Sequence, residues 1–206
     1  MGVLLPIHPK NPQPRAIGQA GALLRAGGVV AYPTDSCYAL GAALGSNEAL
    51  ERMRDIRQCD KRHFFTLVCR SLSEASRYAR IDNQQFRLLK AHTPGPYTFV
   101  LLAGREVPRQ VFNTKQRTLG IRLPDHPCVQ ALLAELDGPM ISTTLYLPGD
   151  ELPITEGEEA YSRVGNRVDA VLDAGHCGIE PTTVVDLTEG YPQILRRGKG
   201  DCRAFE

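Results

Sequence analysis

Several patterns that would assign a simple function are absent from this sequence. Its six cysteines include no Cys-x-x-Cys pair, and no two of its five histidines lie three or four positions apart. These are the usual spacings of zinc ligands, so we expect reduced thiols and no built-in metal site. No apolar run reaches the roughly 18 residues of a membrane span. The first residues lack the basic start of a signal peptide. We therefore expect a cytoplasmic protein without a membrane partner.

Two common phosphate-binding loops are also missing. Neither Gly-x-x-x-x-Gly-Lys-Ser/Thr nor Gly-x-Gly-x-x-Gly after a strand occurs anywhere in the chain. These glycine-rich turns hold phosphates against backbone N–H groups in P-loop and Rossmann proteins. A nucleotide site of either kind is therefore excluded.

Composition indicates one globular domain. The 206 residues are 42% hydrophobic and 23% charged, and residues 1–14, which contain four prolines, are predicted to form an extended arm. The net charge of +1 conceals a segregation, because residues 52–122 contain 15 Lys/Arg and 5 Asp/Glu, against 9 and 18 elsewhere. This favours a basic surface for polyanions, unless the charges interleave on folding.

Helical and strand patterns alternate along the chain. Apolar periodicity and capping residues predict helices at 15–26 and 46–57, beginning at the capping boxes of Ser71 and Asp82, from Asp125 to 136, and after Thr155. Predicted strands cover 29–32, 64–69, 97–102, 118–124, 139–144, 168–172, 182–187 and 193–196. Because several strands follow one another without a helix, we expect an α/β fold with a mixed sheet.

Hydroxyl and guanidinium groups recur where the predicted strands end. They belong to Thr34, Ser36, Thr98, Arg122, Ser142, Thr143, Thr144, Thr182, Thr183, Arg196 and Arg197. Ligands of open α/β sheets bind outside strand ends, and such groups suit phosphates and carboxylates. The recurrence predicts a nucleotide site, whereas each residue taken alone could equally serve an empty turn.

Six ordered segments carry a family resemblance. They read YPTDSCYALG (32–41), PGPYT (94–98), GIRLP (120–124), STT (142–144), PTTVVD (181–186) and ILRRG (194–198). Together they resemble the YrdC/YciO family, most closely its YciO branch. The resemblance implies a twisted open mixed sheet flanked by helices, with a concave basic face. It also implies synthesis of L-threonylcarbamoyladenylate from threonine, bicarbonate and ATP with Mg²⁺ for tRNA modification, and binding of double-stranded RNA.

The resemblance also implies roles for individual residues. Thr34 would lie beside threonine, Arg57 and Arg122 would hold anionic groups, and the nucleotide or threonylcarbamate would contact Thr98, Ser142, Thr144 and Arg196. Independently of the resemblance, the basic segment 52–122 favours an RNA or phosphate surface that includes Arg52, Arg54, Lys61, Arg62, Lys115 and Arg117.

The chain departs from the family's synthases in two places. Their Lys-x-Arg pair is replaced by Arg57-Gln58-Cys59, which loses the second cation unless Lys61 or Arg62 substitutes. Their Ser-x-Asn is replaced by Thr144-Leu145-Tyr146, which loses an amide. One hypothesis is therefore a synthase, and the alternative is a non-catalytic paralogue that binds RNA or nucleotide. A metal-dependent lyase of related fold is disfavoured, because no acidic cluster marks a metal site.

Overall fold

The computed structural model describes residues 1–59, 65–109, 111–113 and 115–206. Its strands are β1 (Val3–Pro6), β2 (Val29–Tyr32), β3 (Ala39–Ala43), β4 (Thr66–Val68), β5 (Ala79–Arg80), β6 (Tyr97–Ala103), β7 (Thr118–Arg122), β8 (Met140–Thr144), β9 (Ala170–Asp173), β10 (Thr183–Asp186) and β11 (Gln193–Arg196). Its α-helices are α1 (Pro14–Arg25), α2 (Asn47–Arg57), α3 (Leu72–Tyr78), α4 (Asn83–His92), α5 (Pro127–Leu136) and α6 (Gly157–Val164). In the described ranges, no helix has the length and apolar character needed to cross a membrane.

All the described strands belong to one sheet, in the order β1-β9-β2-β3-β8-β4-β7-β6-β10-β11. The short strand β5 also pairs with β6, beyond the residues of β6 that pair with β10. The pairs β1–β9, β2–β9, β4–β7 and β6–β10 are parallel, and the others are antiparallel. The predicted mixed α/β sheet is therefore confirmed.

Helices cover the two faces of the sheet unequally. On one face, Leu67, Phe99 and Ile121 join a large core with apolar residues of α2, α3, α4 and α6. On the other, α1 and α5 pack over Tyr32 and Met140 in a smaller core that reaches Val68. Beyond Val68, this second face has small and polar side chains that line an open cleft. The cleft is open because α1 and α5 cover only one half of this face of the sheet.

The helix caps confirm some predictions and correct two. Ser46 Oγ accepts a hydrogen bond from Ala49 N–H, and Asp82 forms the predicted capping box with Gln85. Asp125 does not cap α5, because Pro127 takes the first helical position and Asp125 N–H donates instead to the Asp35 carboxylate. The capping box at Thr155 is also wrong, since α6 begins after Glu156 without a side-chain cap.

The N-terminal arm contains a paired strand that the sequence did not indicate. Val3–Pro6 forms parallel pairs with Ala170–Asp173, and Pro6 ends this short edge strand. Proline is tolerated there because an edge strand leaves one side of its backbone unpaired. The first residues are thereby tied to the main sheet.

Candidate functional site

The open half of the sheet forms a cleft of about 330 Å³. Thr66 lies opposite both Gly120 and Ser142, and Thr98 lies opposite Val184. Directly paired residues project to the same side of a sheet, so these strands present one continuous lining. The polar lining consists of Thr66, Thr98, Asn113, Gln116, Thr118, Arg122, Ser142, Thr143, Thr144, Thr182, Asp186 and Arg196. Hydroxyl, amide and guanidinium donors thus surround one open space.

At one end of the cleft, Arg122 is held by the tip of β2. Its Nη2 forms an ion pair with Asp35 Oδ1 and donates to Thr34 Oγ1 at 3.1 Å and to Ser36 Oγ at 3.0 Å. Thr34 Oγ1 in turn donates to the carbonyl oxygen of Cys37 at 2.7 Å. The Asp35 and Arg122 side chains are only 10% and 9% exposed. The turn 33–36 therefore fixes the guanidinium in a desolvated place.

Arg196 is anchored at Thr182, the residue that precedes β10. Its Nε and Nη2 donate to the Thr182 carbonyl oxygen at 3.1 and 2.9 Å, and Nη2 also reaches Thr182 Oγ1 at 3.0 Å. The Thr182 hydroxyl also lies 3.0 Å from that of Thr98. Burial lowers the pKa of the Arg196 guanidinium. Its Nη1 makes no hydrogen bond with any described residue and can donate to a ligand.

Ser142 and Thr144 occupy the wall that β8 provides. The Ser142 and Tyr32 hydroxyl oxygens lie 2.5 Å apart, and burial raises the pKa of Tyr32 to about 12. The Tyr32 hydroxyl therefore stays protonated and can donate to Ser142, which leaves the proton of Ser142 for another acceptor.

A second cavity, of about 280 Å³, shares Thr143, Thr144 and Arg196 with the cleft. Arg57 lies here, where it donates to the Thr144 carbonyl oxygen and stands 5.8 Å from the Tyr146 ring centre. Burial lowers the pKa of the Arg57 guanidinium. Arg57 and Tyr146, which stand at the two departures from the synthases, are therefore neighbours at one site.

The structure brings Thr98, Arg122, Ser142, Thr144 and Arg196 into the cleft, as expected. Thr34 lies behind Arg122 and reaches the cleft through that side chain, while Arg57 lines the adjoining cavity. Residues that the sequence did not single out are Thr66, Asn113, Gln116, Thr118 and Asp186. For Thr118 the available signal was its place four positions before Arg122 in β7, which puts both side chains on the same face of the strand. Thr66 has no such neighbour in its own strand and faces the cleft because β4 pairs with β7 and β8. In the described parts of the chain, no group of His, Cys, Asp and Glu could hold a metal ion.

The residues assigned to an RNA surface lie in different environments. Arg54 is a correction: its side chain is 10% exposed, pairs with Glu51 at 2.6 Å and lies 5.0 Å from the Phe65 ring centre. Arg54 is therefore buried on α2 and is not a surface cation. Arg52 is paired with Asp169 at 2.9 Å. Lys115 and Arg117 are exposed, on the loop that supplies Asn113 and Gln116 to the cleft. Lys61 and Arg62 lie outside the described residues.

His126 adds a pH dependence next to the Arg122 cluster. Burial lowers its pKa below 6.5, with smaller effects from Asp35, Arg122 and Asp125, and its Nδ1 has no partner among the described residues. The unfolded chain then binds more protons than the folded one between the two pKa values, so stability is lost as pH falls through this range. We expect His126→Gln to lose less stability than the wild type between about pH 8 and about pH 5 in urea unfolding. Parallel pH profiles of the two proteins would contradict this assignment.

A family model and individual proteins of known sequence match this chain over most of its length. The Sua5/YciO/YrdC family model, described as telomere recombination, matches residues 22–198. YciO from Escherichia coli K12 is 49% identical over 199 residues, 97% of each chain. A threonylcarbamoyl-AMP synthase from Halorhodospira halophila is 31% identical over 191 residues, which cover 92% of this chain and 98% of that protein.

Solved structures agree with the sequence matches. The crystal structure of E. coli YciO superposes with a TM-score of 0.96 at 48% identity and covers 100% of both chains. P. abyssi Sua5 complexed with L-threonine superposes with a TM-score of 0.88 at 25% identity, over 95% of this chain and 57% of that one. The predicted YrdC-like architecture is confirmed by both.

Proposed function

This chain belongs to the Sua5/YciO/YrdC family, and we propose that its cleft binds a nucleotide and forms L-threonylcarbamoyladenylate from threonine, bicarbonate and ATP. The observation that carries the proposal is the convergence of Thr98, Ser142 and Arg196 with Arg122 on one open sheet face. Support also comes from the 31% identical synthase and from the likeness to a Sua5 that binds L-threonine.

The cleft residues fit the demands of this reaction. Forming the mixed anhydride requires an oxygen of the threonine-derived carbamate to attack the α-phosphorus of ATP while pyrophosphate leaves. Such a step needs reactants held in line and negative charge neutralised more than it needs a protein nucleophile. Arg122 and Arg196 supply positive charge, and Thr98 and Ser142 supply hydroxyl groups. Mg²⁺ would arrive with ATP as part of the substrate.

Release of pyrophosphate from ATP tests the proposal, and Arg196→Gln tests the site. We expect release that requires both threonine and bicarbonate, with a kcat/KM about tenfold lower in Arg196→Gln, because glutamine keeps only a neutral hydrogen bond. Arg197→Gln is the matched control, since Arg197 is exposed and pairs with Glu206 at 2.8 Å. The proposal fails if folded wild-type protein gives no product above a blank, or if both variants lose activity equally.

A second candidate function is nucleotide binding without turnover. It is favoured by the Arg57 guanidinium, which is occupied by the Thr144 carbonyl oxygen, and by the tyrosine that replaces the asparagine of the synthases. ATP binding that is weakened by Arg196→Gln, in the absence of any threonine-dependent pyrophosphate release, would select this candidate over the first.

We further propose that double-stranded RNA, as in tRNA, contacts the loop beside the cleft through Lys115 and Arg117. Both side chains are exposed, and neither forms an ion pair with a described residue. Replacing both with glutamine should weaken RNA binding and reduce the slope of log affinity against log salt by about 1 to 2, since each phosphate contact releases counterions. Filter binding across a salt series measures this slope, and an unchanged slope would exclude the loop.

A further inference from the structure

A cavity of about 720 Å³, larger than the cleft and the cavity beside it, lies elsewhere on the molecule. It forms where two strands meet end to end along one side of β6. Strand β10 pairs with β6 as far as Val100, and β5 pairs with β6 from Leu102 onwards. The cavity fills the gap between β5 and the turn that follows β10, with the start of α4 as a further wall.

The charged groups around this cavity are mainly positive. Of its four charged lining residues, Arg77, Arg80 and Arg105 are arginines and Asp82 is the only acid. Asp82 Oδ1 already accepts hydrogen bonds from the N–H groups of Gln84 and Gln85, both at 2.8 Å. Arg77 contacts Glu106 at 3.4 Å, but the side chains of Arg80 and Arg105 have no hydrogen bond or ion pair with any described residue. Two guanidinium groups are therefore available to an anion.

The remaining walls suit a flat organic group. Ile81, Leu88 and Leu187 line the cavity together with Leu102 and Tyr191, which are 38% and 65% exposed. A solvent-exposed tyrosine ring beside aliphatic side chains can stack against a planar base, and such contacts tolerate any base.

The cavity is also held in shape by bonds between its walls. Gln85 Nε2 donates to the Leu187 carbonyl oxygen at 2.7 Å, which ties α4 to the turn after β10. Within that turn, Asp186 Oδ1 accepts hydrogen bonds from the N–H and hydroxyl of Thr188 at 2.8 and 2.6 Å. Ligand sites are commonly preformed cavities of about 300–1,000 Å³ with a few placed polar groups, and this one has both properties.

We propose that this cavity is a second ligand site, which binds a nucleoside phosphate independently of the cleft. Arg80 and Arg105 hold the phosphate, and Tyr191 with the aliphatic wall holds the base. The site goes beyond the proposed synthase reaction, because none of its lining residues belongs to the cleft.

Equilibrium dialysis of AMP against the full chain tests the proposal. We expect two bound AMP molecules per chain, with Arg80→Gln and Arg105→Gln each weakening one site by about tenfold, the usual effect of losing a charge-assisted contact. Gly120→Val should remove the other site, since a Cβ at Gly120 already lies 3.3 Å from Thr98 Cγ2 on the cleft floor. Arg87→Gln is the matched control: Arg87 is an exposed arginine of α4 that does not line the cavity.

The outcomes separate this site from the cleft. Persistence of one AMP in Gly120→Val, and its loss when Arg105→Gln is added, supports the cavity site even if no pyrophosphate is ever released. The proposal is overturned if Gly120→Val abolishes all binding, if wild-type protein binds no AMP, or if Arg80→Gln and Arg105→Gln bind like Arg87→Gln. Urea midpoints of the variants close to that of the wild type establish that each is folded.

Discussion

Replacing Arg122 with methionine is expected to lower the free energy of unfolding by about 3–5 kcal/mol, the cost of leaving a buried charge without its partner. Asp35 would be that charge: its side chain is 10% exposed, and Arg122 is its ion-pair partner. Thr34 and Ser36 would also lose the donor that their hydroxyl oxygens accept from. Urea unfolding followed by circular dichroism measures the loss.

The Arg25–Glu135 pair provides a matched control. Its atoms are 2.9 Å apart, but its side chains are 48% and 35% exposed, so Arg25→Met should cost less than about 1 kcal/mol. Adding Asp35→Asn to Arg122→Met removes the stranded charge and should restore part of the stability. Equal losses in Arg25→Met and Arg122→Met, or no recovery in the double variant, would show that burial does not govern this pair.

The sequence predicted those elements whose signals are local. The strand predicted at 97–102 is observed as Tyr97–Ala103, and the one at 193–196 as Gln193–Arg196. Helix α2 begins after its predicted cap, Ser46. In each case apolar alternation or a capping side chain lies within the element itself. These signals need no knowledge of distant contacts.

Strand β3 could not be predicted from local signals, because it is stabilised by contacts with distant parts of the chain. Ala39–Ala43 contains alanine and glycine, which have little tendency to form strands, yet β2 and β8 pair with it on both sides. A Cβ at Gly41 would stand 2.7 Å from both Tyr32 Cε1 and Met140 Sδ. The small residue is therefore required by its neighbours, and the neighbours come from distant parts of the chain.

In the candidate site, too, some features follow from local sequence and others only from the fold. Recurrence along the chain identified the polar strand ends, but the fold decides which of them share a space. Asp35 lies within YPTDSCYALG, but nothing local to that segment indicates its pairing with Arg122, which spans 87 positions. Arg54 was assigned to a surface from local charge, whereas the packing of α2 against Phe65 buries it. Charge density along a sequence therefore does not predict which cations face solvent.

Replacing Tyr146 with asparagine is expected to raise kcat/KM for threonylcarbamoyl-AMP formation by about ten- to a hundredfold, the value of regaining one strong hydrogen bond at about 1.5–3 kcal/mol. The variant places an asparagine two positions after Thr144, where the resemblance to the synthases implies one. Tyr146 lines the cavity that shares Thr144 and Arg196 with the cleft, so an amide there can reach a ligand bound to those residues. Pyrophosphate release dependent on threonine and bicarbonate is the measurement.

Tyr146→Phe separates the gain of an amide from the loss of the tyrosine hydroxyl. Phenylalanine keeps an aromatic ring beside Arg57, whose guanidinium carbon is 5.8 Å from the Tyr146 ring centre, but it supplies no hydrogen-bonding group. If the amide is what the site lacks, only asparagine raises the rate, and Tyr146→Phe stays near the wild type. A similar gain in both variants would instead mean that the hydroxyl obstructs the ligand. No gain in either, with ATP binding intact, would place the defect at Arg57 and its bond to the Thr144 carbonyl oxygen, and would favour binding without turnover as the function of this chain.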